Sequence, residues 1–139
     1  MQGSFLYVIK QIELALRPRF MEACAARGIS GAQYTALTVL DRHPGITSSD
    51  LARRSFVRAQ TMATTLDPLI ELGFVARVQD PEHGRRILLY LTPRGARAIA
   101  DLTPLIDALE GEMLDGFSDE ERVLFSDFLR KSRHNLTDS

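Results

Sequence analysis

The chain is short of the residues that most often carry chemistry. It has one cysteine, Cys24, and three histidines, His43, His83 and His134, in 139 residues. A single cysteine excludes a disulfide within the chain and fits a reducing compartment, so the cytoplasm is the expected location. The histidines are scattered, and no His or Cys pair stands at ligand spacing, so neither a metal nor a cofactor is expected. No Ser-His-Asp set, Gly-rich phosphate loop or readable carboxylate pair is present, and nothing points to an enzyme. Long apolar runs are also missing. None approaches the roughly 18 residues that a membrane helix needs, so no membrane partner is expected. Met1-Gln2-Gly3-Ser4 lacks a basic start leading into an apolar core and a small-residue cleavage site, so no signal peptide is expected.

Excess charge is absent too. The net charge of −1 by itself speaks against a nucleic-acid binder, but its distribution speaks for one. Residues 51–100 hold eight Arg against four acids, a net +4, whereas residues 101–139 carry a net −6 and residues 1–50 a net +1. The positive middle is where phosphates would lie. The apolar fraction of 45% and charged fraction of 25% are ordinary for a globular protein, and 139 residues suit one domain.

What is there organises around residues 47–92. Thr47-Ser48-Ser49-Asp50-Leu51-Ala52 is a helix start, because a hydroxyl can accept an orphan backbone N–H. A second helix is predicted from Arg58 to Leu72, stopped by Gly73, which takes the left-handed conformation without a Cβ clash. Strands are predicted at Phe74–Val78 and Arg86–Leu91, with Ile87, Leu89 and Leu91 on one face and a turn at Asp80-Pro81-Glu82-His83-Gly84-Arg85. Helix, turn, helix and hairpin make the winged helix-turn-helix order, which lays one helix in a DNA groove.

Long helices flank this module. Phe5, Ile9, Ile12, Leu16, Phe20 and Cys24 form one helical stripe in a segment reaching Ala26, and Pro18 predicts a kink or short break in it. Ser30-Gly31-Ala32-Gln33 is a capping box opening a helix that buries Tyr34, Leu37 and Leu40. Thr92-Pro93 opens a helix to about Asp115 with Ile99, Leu102, Ile106, Leu109 and Met113 as its stripe and a bend at Pro104. Ser118 and Glu121 box the last helix, which carries Leu124, Phe125, Phe128 and Leu129 and then the basic Arg130, Lys131 and Arg133. His134 to Ser139 reads as a frayed tail. The fold class is mainly α with a small β-hairpin wing (α+β). One such module cannot cover the outer stripes, so a two-fold dimer is the economical arrangement. A monomer that folds its arms back on itself is the alternative.

The predicted second helix has Met62, Leu66, Leu69 and Ile70 on one face and Arg58, Ala59, Gln60, Thr61, Ala63, Thr64 and Thr65 on the other. Gln can pair with adenine, and Thr can bond a base edge or touch a thymine methyl group. Gln60, Thr61 and Thr64 are the base-reading candidates, with Thr65 behind them; contacts to phosphate alone are the alternative. Arg85, beside Gly84 at the hairpin tip, suits a narrow minor groove, where negative potential draws a guanidinium. Asp80 would stabilise the wing by pairing with Arg85 or with a local N–H. Arg58, Arg53, Arg54, Arg77 and Arg86 are phosphate candidates, some of which would serve only solubility or ion pairing.

Asp50-Leu51-Ala52, Thr61, Leu69, Gly73, Asp80-Pro81…Gly84-Arg85 and Leu91-Thr92-Pro93-Arg94-Gly95 resemble the MarR family of bacterial transcriptional regulators. The resemblance covers nearly the whole chain. It implies a single MarR-type domain over 1–139, with the winged module at about 30–92 and dimerisation helices at about 5–26 and 93–134. It also implies a short strand at Ile46 beside the hairpin. The implied function is that of a homodimeric, sequence-specific DNA-binding repressor on a near-palindromic operator, relieved by a small aromatic or lipophilic effector. The chain also departs from the family pattern. Many relatives carry an Arg near Thr64, where this chain has none, and Pro68 lies inside the second helix, which bears on the straightness of its last turn. Arg58 also stands where a Ser or Asp cap is common, and His83 where relatives often have Asp. Cys24 does not match the peroxide-sensing branch, whose cysteine lies nearer the start of the first helix, and it reads as a buried inert thiol. The rival reading is a winged-helix protein-interaction module without specific DNA binding.

Overall fold

The computed structural model describes residues 4–137, and its elements run α1 (Phe5–Ala25), α2 (Gly31–Arg42), α3 (Ser48–Arg54), α4 (Ala59–Glu71), β1 (Val75–Gln79), β2 (Ile87–Leu91), α5 (Pro93–Met113) and α6 (Asp119–Thr137). Hydroxyl side chains set most of the helix starts. Ser30 and Gln33 exchange bonds of 3.1 and 2.8 Å across the first turn of α2, and Ser118 and Glu121 do the same at α6 with 3.1 and 2.8 Å. Thr47 Oγ1 accepts the Asp50 amide at 3.2 Å to open α3. Each bond satisfies a donor that the helix itself leaves orphaned.

Three local expectations change. Of the kink or short break expected at Pro18, the break does not occur: α1 is one helix from Phe5 to Ala25 with Pro18 inside it. The tail expected from His134 is instead the last turn of α6, where Thr137 Oγ1 donates to the Arg133 carbonyl at 2.8 Å; residues 138–139 lie outside the described residues. Ile46 forms a single bridge to Leu89 rather than a strand, through bonds of 2.9 Å (Leu89 N–H to Ile46 O) and 2.8 Å (Gly45 N–H to Leu89 O).

β1 and β2 pair antiparallel from Val75↔Leu91 to Gln79↔Ile87. The core gathers Cys24 from α1, Leu37 and Leu40 from α2, Leu51 from α3, Met62, Leu66 and Leu69 from α4, Leu89 from β2 and Leu102 from α5. Phe20 meets Tyr34 edge-on, with centroids 5.9 Å apart, and so fastens the end of α1 to α2. The chain forms two units, Met1–Ile106 and Asp107–Ser139. Within the second, Phe117 and Phe125 contact at 5.6 Å, while α6 buries none of its residues. Among the described residues no helix is long and apolar enough to cross a membrane.

Candidate nucleic-acid interface

α4 is amphipathic in the way its sequence predicts. Met62, Leu66 and Leu69 are buried, while Arg58, Gln60, Thr61, Ala63 and Thr64 are exposed and Thr65 is half-buried. Burial of one face therefore presents the other, and tertiary contacts hold the helix although Pro68 lies within it. Arg58 occupies the N-cap and makes no side-chain cap bond, so the first amides of α4 remain open to an anion. The Thr64 hydroxyl donates to the Gln60 carbonyl at 3.1 Å and the Thr65 hydroxyl to the Thr61 carbonyl at 2.9 Å. That leaves each oxygen as an acceptor, alongside a methyl group, for whatever meets the helix.

The hairpin tip is built rather than loose. Asp80 Oδ1 accepts the Glu82 amide at 2.9 Å, and the Asp80 amide donates to the Arg86 carbonyl at 2.8 Å. Gln79 Nε2 donates to the Gly84 carbonyl, and the Arg86 amide to the His83 carbonyl at 2.9 Å. The acidic partner question resolves toward Arg86, whose Nη1 lies 3.9 Å from Asp80 Oδ2, and toward the local N–H; Arg85 makes no ion pair among the described residues. Arg85 is exposed at the tip and retains all its donors.

The remaining basic candidates divide. Arg53 pairs with Asp50 at 2.7 Å, and Arg54 Nη1 lies 3.3 Å from His43 Nε2, so both have intramolecular partners that a phosphate would have to displace or share. Arg77 is exposed on β1. Sequence reasoning missed Gln79, whose partner Gly84 becomes visible only once the hairpin register is known. It also missed Phe56, which sits in the α3–α4 turn at φ 58° and leaves no residue-type signal for a left-handed position. Cys24 is buried and burial pushes its thiol pKa up, which disfavours the thiolate.

A sequence profile of the MarR family matches residues 27–86. The chain is 30% identical over 135 residues to the HTH-type transcriptional regulator YdgJ of Bacillus subtilis, covering 97% of this chain and 80% of that one. It superimposes on the crystal structure of MarR with a TM-score of 0.82 and 29% identity, over 97% of this chain and 92% of that one. The transcriptional repressor CouR, solved bound to a 23-mer DNA duplex, shares the fold at a TM-score of 0.84 and 22% identity, over 94% and 92% of the two chains. With its amphipathic α4, its braced hairpin and these likenesses, the chain belongs to the MarR family of winged helix-turn-helix transcriptional regulators.

Proposed function

We propose that this regulator is a homodimeric repressor that reads a near-palindromic operator with α4 and the hairpin wing and is released by a small aromatic or lipophilic ligand. The observation that carries the DNA-reading part is the exposed Gln60, Thr61 and Thr64 face of α4, held by a buried opposite face and accompanied by an ion-pair-free Arg85 on a braced tip. Gln60 would take adenine through paired donor and acceptor atoms, and Arg85 would enter the adjoining minor groove. Arg58 and Arg77 would hold phosphates, with Arg53, Arg54 and Arg86 exchanging or sharing their present partners to do so. CouR supports the repressor assignment, being a repressor solved on DNA. Release by a ligand is the part of the reading that the family likeness supports, through a population shift: a molecule that binds one spacing of the two recognition helices better than the other would draw the protein toward it. Such a protein works where the chromosome is, in the bacterial cytoplasm.

Selection of bound sequences from random DNA, followed by titration on the selected and a scrambled duplex across a salt series, tests this reading. A regulator prefers the selected duplex, and its affinity falls steeply with salt on both. Equal and weak binding to both would instead leave a winged-helix module that contacts other proteins.

A further inference from the structure

The C-terminal end of α4 is completed by another part of the chain. Its own turn uses the Phe74 amide on the Leu69 carbonyl at 2.8 Å and the Gly73 amide on the Ile70 carbonyl at 3.1 Å, with Gly73 at φ 82°. The carbonyls of Leu72, Gly73 and Phe74 all go to one short segment. Arg94 Nη1 donates to Leu72 O at 2.8 Å, the Thr92 hydroxyl donates to Gly73 O at 2.6 Å, and the Thr92 amide donates to Phe74 O at 3.2 Å.

Both side chains are used twice. Thr92 Oγ1 also accepts the Gly95 amide at 3.1 Å and so caps α5. The Arg94 guanidinium lies 4.7 Å from the centroid of the Phe74 ring. Gly95 completes the contact, since a Cβ there would overlap the Phe74 carbonyl oxygen and stand 2.8 Å from the Leu91 side chain. The start of α5 is thereby fastened to the C-cap of α4 and the two residues that follow it, through three successive carbonyls and one ring.

We propose that Thr92 and Arg94 are positioning residues for the recognition helix: they lock its C-terminal end to the first turn of α5, so that the angle at which Gln60, Thr61 and Thr64 meet DNA is set from α5. The inference rests on the DNA-reading function above and names the part of the scaffold that aims it. A helix of 13 residues is about 20 Å long, so a tilt of about 5° at the clamped end moves the first turn by roughly 1.7 Å. That shift is enough to break a base-edge hydrogen bond, whose useful range is a few tenths of an ångström. The guanidinium of Arg94 is committed to a carbonyl and a ring face, a pairing that its planar fork permits and an ammonium does not reproduce.

The test uses the full chain with Arg94→Ala, Arg94→Lys, Thr92→Val and Thr92→Ser, each checked for folding by circular dichroism at the assay temperature. Binding is measured on the selected operator and on scrambled DNA over a salt series. The clamp predicts that Arg94→Ala and Thr92→Val lose operator preference by about tenfold, equivalent to about 1.4 kcal/mol. It predicts an unchanged salt slope and unchanged affinity for scrambled DNA. Arg94→Lys should behave as Arg94→Ala, and Thr92→Ser should keep the wild-type preference because it keeps the hydroxyl. If Thr92→Val lowers the folded fraction, Arg94→Ala, on an exposed side chain, carries the test alone. Equal weakening on both DNAs with a flatter salt slope would make Arg94 a phosphate contact and overturn the proposal. A preference that survives Arg94→Ala also overturns it, leaving the DNA-reading function intact. A wild type without any preference overturns the function and the clamp together.

Discussion

Gln60 and Arg85 occupy different chemical situations, and their substitutions separate accordingly. Gln60 is an exposed amide on α4, able to accept and donate to one base at once. Gln60→Ala should cost on the order of 1–3 kcal/mol per contact on the selected operator and much less on scrambled DNA. In the proposed reading Arg85 works through charge and groove width, so Arg85→Ala should weaken binding to every sequence and reduce the salt slope by about one phosphate equivalent per subunit. Titration of both variants on both duplexes checks the pair. If Gln60→Ala weakens the two duplexes equally, Gln60 does not read a base. Cys24 is the contrasting residue. Its buried thiol has a raised pKa, so Cys24→Ser should leave the response of DNA binding to peroxide nearly unchanged, as band-shift titration with and without peroxide would show.

The elements most legible in the sequence are those closed by partners three or four residues away. Ser30 with Gln33 and Ser118 with Glu121 were readable because a capping box needs nothing beyond its own turn. The α6 box also yields a pH prediction. The Ser118 amide and hydroxyl hold the Glu121 carboxyl below its ordinary range. A depressed folded pKa stabilises the fold above the unfolded value, and that contribution disappears as pH falls through the folded value. The melting temperature of the wild type should therefore exceed that of Glu121→Gln at neutral pH, with the gap closing in acid below the glutamate range. A gap independent of pH would remove the carboxylate from the account. What sequence pattern could not reach has long-range causes. Thr92 was readable as a cap, but its bond to Gly73 lies 19 residues back and that of Arg94 to Leu72 lies 22 back. Neither follows from periodicity. α4 was legible as a helix because its apolar face repeats at 3.6 residues, whereas nothing local to Pro18 tells whether a proline breaks a helix or is carried within one, as α1 carries it.

At the scale of the molecule, the feature to be explained is apolar surface on the outer helices. Phe5 is 90% exposed and Ile9 54%, and Ile12 and Leu14 are exposed with them on α1. α6 leaves Val123, Leu124, Phe128, Leu129 and Leu136 exposed and buries nothing. Single exposed apolar residues are ordinary, but a run of them along a helix, as on α1 and separately on α6, is the kind of surface that association covers. A second copy of the chain is the occupant we propose, because a two-fold interface uses the same stripe on both sides and so needs no other partner to evolve with it. It also supplies two recognition helices, which a near-palindromic operator with half-site centres about one helical turn apart requires. Sedimentation equilibrium at micromolar concentration should return the mass of two chains, and the melting temperature should rise with protein concentration, since association is then part of folding. Phe128→Glu would place a charge on the α6 stripe that dimerisation must desolvate. It should shift the mass toward one chain and, by halving the number of helices on DNA, abolish operator preference while leaving weak salt-dependent binding. A wild-type mass of one chain at these concentrations would overturn the dimer and require the outer stripes to be covered by something else.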